Sequence, residues 1–116
     1  MKLLSIYIPV HSQNRMGHEG DVEGARAVYK NGKNRNLNRL LQSRSVWINQ
    51  FVSKEMNGVE LGAGIGATKD FLASKSLILT DFSDGDWLDL KGVDALDTPF
   101  EDNSFDFVVA SNMIHH

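Results

Sequence analysis

The 116-residue chain has no cysteine, which excludes disulfides, thiolate nucleophiles and cysteine metal sites. It has no apolar run near the roughly 20 residues that a membrane span requires. The longest early apolar stretch, residues 3–10, is broken by Ser5 and Pro9 and carries no small-residue cleavage site. No signal peptide and no membrane contact are therefore expected, and the cytoplasm is the expected location. Acidic residues are missing between Gly24 and Lys54, where seven basic ones stand: Arg26, Lys30, Lys33, Arg35, Arg39, Arg44 and Lys54. Beyond that point basic residues are scarce, with Lys69, Lys75 and Lys91 set against twelve Asp and Glu in residues 55–116. Such a basic front half either docks on the acidic half or attracts an anionic molecule, and it singles out no nucleic-acid partner. The length supports one small domain.

Along the chain, Leu4-Ser5-Ile6-Tyr7-Ile8 is strand-like and is followed by a polar loop through Gly20. A short helix is expected over residues 21–30, stopped by Asn31-Gly32. A longer one is expected over 36–54, with Leu37, Leu40, Leu41, Trp47, Ile48 and Phe51 on a single apolar stripe. Trp47 is then a core residue or a lid over a pocket. After Asn57-Gly58 the period changes. Counted from there, the first strand is 58–61, a short helix covers 67–74, and the second strand is 76–80, ending at Asp81. A turn-rich segment with Trp87, Leu88 and Leu90 leads to a third short strand around Val93, and residues 105–111 form a fourth. Apolar strands alternating with helices indicate an α/β fold with a parallel sheet covered on both faces.

The richest signal is Val59-Glu60-Leu61-Gly62-Ala63-Gly64-Ile65-Gly66, an apolar strand running into three alternating glycines. Glycines let the backbone pass close to a ligand, and a helix starting just beyond aims its free N–H groups at the same place. Two cofactor readings fit. Gly62, Gly64 and Ala67, with Asp81 further on, satisfy the dinucleotide pattern of an NAD-dependent oxidoreductase. Glu60, Gly62, Gly64 and Gly66 satisfy the acid-x-G-x-G-x-G pattern that suits S-adenosylmethionine.

Downstream residues bear on the choice. Asp94-Ala95, then Thr98-Pro99-Phe100, then Ser104-Phe105-Asp106 leading into Val108-Val109-Ala110, follow the glycine turn in order. In this order and spacing, residues 58–116 resemble the class I S-adenosylmethionine-dependent methyltransferases. The similarity is greatest to the small-molecule branch (methyltransferase type 11) that includes the ubiquinone and menaquinone biosynthesis enzymes. The resemblance implies a Rossmann-like fold and S-adenosylmethionine as cofactor. It implies that Gly62 and Gly64 lie against the cofactor's methionine and ribose portion, with Ala63 and Gly66 in the same binding turn, and that Glu60 acts on its ammonium through water or by ordering the turn. Asp81 would accept from both ribose hydroxyls, Phe82 would pack on the adenine, and Asp94 and Ala95 would meet the adenine edge, with Asn112 also at the cofactor. A cofactor without phosphate suits the acidic character of this half.

Methyl transfer from a sulfonium needs mainly proximity and alignment, worth up to about 7–11 kcal/mol. A general base is required only when the acceptor must lose a proton, and His115 and His116 are the candidates by their titration range. No metal is expected. The family fold has seven strands, and the chain ends just after the fourth, so the expectation is a methyltransferase truncated after that strand, with sheet order 3-2-1-4. Residues 1–57 would form an N-terminal helical cap and residues 58–116 the cofactor-binding half. The fourth strand would then have an exposed edge that pairs either with a second copy, giving a homodimer, or with the segment 3–8. The expected partner is a small-molecule acceptor, anionic if the basic helices admit it. A non-catalytic module that binds S-adenosylmethionine or a nucleotide is the alternative.

Overall fold

The computed structural model describes residues 2–6 and 22–111. In chain order the elements are β1 (Lys2–Ile6), α1 (Val22–Lys30), α2 (Arg35–Ile48), β2 (Asn57–Leu61), α3 (Thr68–Phe71), β3 (Ser76–Leu79) and β4 (Phe107–Ser111). The four strands form one sheet in the order β1-β4-β2-β3, and every pairing is parallel. Successive parallel strands need crossovers, and here α3 with its flanking turns links β2 to β3.

The register explains the core. Gly58 lies between Leu77 and Phe107, and Glu60 lies between Leu79 and Val109, so these residues share one face of the sheet. The Phe107 ring fills the space above Gly58, where a Cβ would come within 2.2 Å of it. Ile48, Val52, Ala63, Leu72 and Leu88 complete this buried cluster, with Met56 and Trp87 against its margin. A second cluster of Tyr29, Leu41 and Ala67, bordered by Leu37, Ile65 and Phe71, fastens α1 and α2 to the start of α3.

Several expectations are corrected. Helix α2 ends at Ile48 rather than near residue 54. Its C-cap Asn49 turns its amide to α3, donating to Phe71 O at 3.1 Å and accepting from Ala73 N at 2.8 Å. This tertiary bridge draws the chain out of the helix and carries Val52 into the core. The apolar stripe splits as well: Leu41 and Ile48 are buried, whereas Leu40, Trp47 and Phe51 are more than two-fifths exposed. Trp47 is therefore not a core residue, and its ring lies 5.2 Å from that of Phe51.

The third strand near Val93 does not form. Residues 89–93 instead lie parallel against the carboxyl end of β3 and the residues just after it, with Asp89 N and Leu90 N donating to Leu79 O. The Asp89 carboxylate accepts from Leu79 N at 2.8 Å, supplying the acceptor a further strand would have offered. Only isolated bridges, Thr80 with Leu90 and Asp94 with Asp97, remain. Asp89 thus terminates the sheet. At the opposite side β1 pairs along β4, so of the two partners expected for that edge the N-terminal segment is the one that takes it.

Candidate cofactor site

The site lies at the carboxyl ends of β2 and β3, where parallel sheets place their ligand crevices. Beyond Leu61 the chain turns through Gly62, Gly64 and Gly66 with φ of 70°, 55° and 73°. This is the left-handed region, which costs other residues energy and glycine almost none. Ala63 N donates to Thr80 O at 2.8 Å and Gly66 N to Ala63 O at 2.9 Å, so the turn is held against the end of β3. A Cβ on Gly64 would meet nothing within 4 Å, so that side of the turn is open.

Asp81 joins strand end and turn. Its Oδ2 accepts from Gly64 N at 2.7 Å, and its Oδ1 accepts from both the backbone N (2.8 Å) and the hydroxyl (2.7 Å) of Ser83. A carboxylate has about four acceptor positions. Three are engaged by the chain, leaving one on Oδ2, so a diol would take both its bonds here only by displacing Ser83.

Glu60 lies beneath the turn and is only 2 % exposed. Its Oε1 accepts from the Thr68 hydroxyl at 2.7 Å, and its Oε2 is buried with no partner among the described residues. Burial pushes its pKa up to about 7; the Thr68 bond and the Arg44 charge pull it down, and Asp81 adds to the rise. Arg44 on α2 is lowered by its own burial, with Glu60 opposing, and its Nε is likewise buried and unpartnered.

The loop after β3 brings the other acid close. Asp81 N donates to Leu90 O, and Val93 N donates to Asp81 O at 3.0 Å, which sets Asp94 one residue beyond the contact. Asp94 is exposed, and its Oδ1 accepts from Leu96 N at 2.9 Å. Ala95 is half-buried beside it, and Phe82 is 75 % exposed next to Asp81. The structure thus gathers Glu60, Gly62, Ala63, Gly64, Gly66, Asp81, Phe82, Asp94 and Ala95 around the ends of two neighbouring strands. Asn112, His115 and His116 lie outside the described residues. No group of three or more potential metal ligands occurs among the described residues.

Three residues at the turn escape sequence reasoning. Thr68 completes Glu60 from eight positions away, a spacing readable in retrospect as the first turn of α3. Trp87 donates its indole N–H to Gly64 O at 2.8 Å. Arg26 donates to Ile65 O and stands 4.6 Å over the Trp87 ring. No local pattern reveals Arg26, since its partner is 39 residues distant.

A parallel α/β sheet whose glycine turn meets an acid at the next strand's end has the geometry in which open α/β folds place nucleoside-like ligands. Residues 59–116, half of the chain, match a family model described as methyltransferase domain, and the chain belongs to that family of class I S-adenosylmethionine-dependent methyltransferases. No curated protein and no solved structure matches it. No helix among the described residues is long and apolar enough to cross a membrane.

Proposed function

We infer that the chain binds S-adenosylmethionine at the glycine turn and serves methyl transfer to a small-molecule acceptor. The observation that carries this reading is the 2.7 Å bond from Gly64 N to the Asp81 carboxylate, which makes one site of turn and acid. The residues present fit the cofactor. Glu60, sealed beneath the turn, acts on the ammonium by ordering the turn through Thr68, and the open side of Gly64 admits close approach. Asp81 Oδ2 keeps one acceptor position for a ribose hydroxyl, and Ser83 can give up a second. Phe82 offers an exposed ring to a base, and Asp94 and Ala95, on the loop that Val93 ties to Asp81, supply polar contacts.

When bound, the cofactor supplies an activated methyl group on sulfur. The chain's own part is to fix its orientation and keep the acceptor in line with it. Among the expected residues, His115 or His116 takes a proton from the acceptor where one must leave, and Asn112 joins the cofactor contacts. The exposed basic residues Lys33, Arg35 and Arg39 draw in an anionic acceptor.

A pyrophosphate finds poor company here, since Glu60, Asp81 and Asp94 are all acids. Calorimetric titration with S-adenosylhomocysteine and with NAD tests the reading. Binding of the former alone is expected, and a preference for NAD would replace the methyltransferase reading with an oxidoreductase one.

A further inference from the structure

We propose that Trp87 and Arg26 are positioning residues that set the Gly64–Ile65 peptide so that Ile65 N–H is offered to the cofactor. The inference rests on the cofactor reading given above and adds two residues to it.

Gly64 is held from both sides by one segment of chain. Asp81 accepts from its N–H at 2.7 Å, and Trp87, six residues later, donates to its C=O at 2.8 Å. The peptide bond is planar and trans, so a carbonyl directed at the indole sends the N–H of Ile65 the opposite way. The neighbouring donors are consumed: Gly64 N by Asp81, and Gly66 N by Ala63 O. Ile65 N, like Gly62 N at the start of the turn, donates to no described residue, and of the two it is the one whose direction the Gly64 carbonyl sets.

Trp87 is itself held in place. The Arg26 guanidinium stacks 4.6 Å from its ring while donating to Ile65 O, so consecutive carbonyls of the turn are taken by two stacked side chains. An indole and a guanidinium are suited to this, each presenting a fixed N–H and a flat face. The fit leaves no slack. A Cβ on Gly66 would come within 2.8 Å of Trp87 Cδ1 and 3.2 Å of Arg26 Nη1. Trp87 also packs against the main core cluster, so it bridges the core and the turn.

The test is Trp87→Phe in the full chain, which keeps a ring for Arg26 to cover and removes the donor. Affinity for S-adenosylhomocysteine is read by calorimetry, and the Ile65 amide by its 15N–1H resonance with and without that ligand. The expected result is a loss of affinity of about five- to tenfold, the usual net worth of one hydrogen bond. The ligand-induced shift of the Ile65 resonance should shrink with it, a change that a purely stabilising tryptophan would not produce. Arg26→Leu, which removes the cation and leaves an apolar cover, should give a smaller loss in the same direction, and it carries the test should Trp87→Phe not fold. Unchanged affinity and an unchanged Ile65 shift in a folded variant would overturn the positioning role while the cofactor reading stands. Failure of the unsubstituted chain to bind S-adenosylhomocysteine would overturn both.

Discussion

Glu60→Gln isolates the pH response of the carboxyl beneath the glycine turn. In the unfolded chain this group loses its proton near 4.5, and in the folded chain burial holds the proton up to about 7. The folded state therefore carries the extra proton between those values. Stability from this source is complete below about pH 4.5 and declines as pH rises through about 7. At about 1.4 kcal/mol per unit of displacement, the loss amounts to about 3 kcal/mol. Arg44 and Asp81 flank the group and act in opposite senses, so they set its size without reversing its sign. Glutamine keeps an oxygen for the Thr68 hydroxyl and has no proton to lose. Urea denaturation of both proteins from pH 4.5 to 8 gives the comparison, and subtracting the two curves cancels every other titrating group. The unsubstituted chain should lose about 3 kcal/mol relative to Glu60→Gln over that range. Parallel curves would refute the reasoning, because they would mean that Glu60 is already ionised where it lies.

Gly58→Ala should destabilise the fold by about 1–3 kcal/mol in denaturant titration, because its Cβ would overlap the buried Phe107 ring. Combining it with Phe107→Leu should cost less than the sum of the separate changes, and strict additivity would count against that contact. Phe82→Ala should leave thermal stability within about 0.5 kcal/mol, since the ring is exposed. It should nonetheless weaken S-adenosylhomocysteine binding by calorimetry if the ring packs on the adenine. Raising salt from 50 to 500 mM should weaken binding of an anionic acceptor to the basic helices, and indifference to salt would remove that role from them.

The elements around the site were legible where one local cause decides them. Val59 and Leu61 ahead of three glycines, and Phe107-Val108-Val109 after a turn, announce strands through their apolar runs alone. The glycine turn was legible because its positive φ angles demand residues without side chains. What escaped was decided by distant partners. Helix α2 ends where Asn49 finds Phe71 and Ala73, and no propensity within residues 35–54 encodes that. The absent strand near Val93 turns on Asp89, whose side chain takes over a ladder acceptor that period counting assigns to backbone. Thr68, Trp87 and Arg26 reached the site through contacts across 8, 23 and 39 positions. In such cases side-chain geometry, rather than pattern, makes the connection. Asp81 shows the mixed case: its place at the strand end was readable, but its engagement by Gly64 and Ser83 was not.

The central claim is that turn and acid act as one grip on the nucleoside of the cofactor, and Asp81→Asn tests it most directly. Asparagine retains the size and one oxygen for Gly64 N, and it gives up the charge and an acceptor position. Calorimetric titration of the folded variant with S-adenosylhomocysteine should show affinity reduced by about tenfold or more, as for loss of a charged hydrogen-bond acceptor. Equal affinity in variant and unsubstituted chain would contradict the claim.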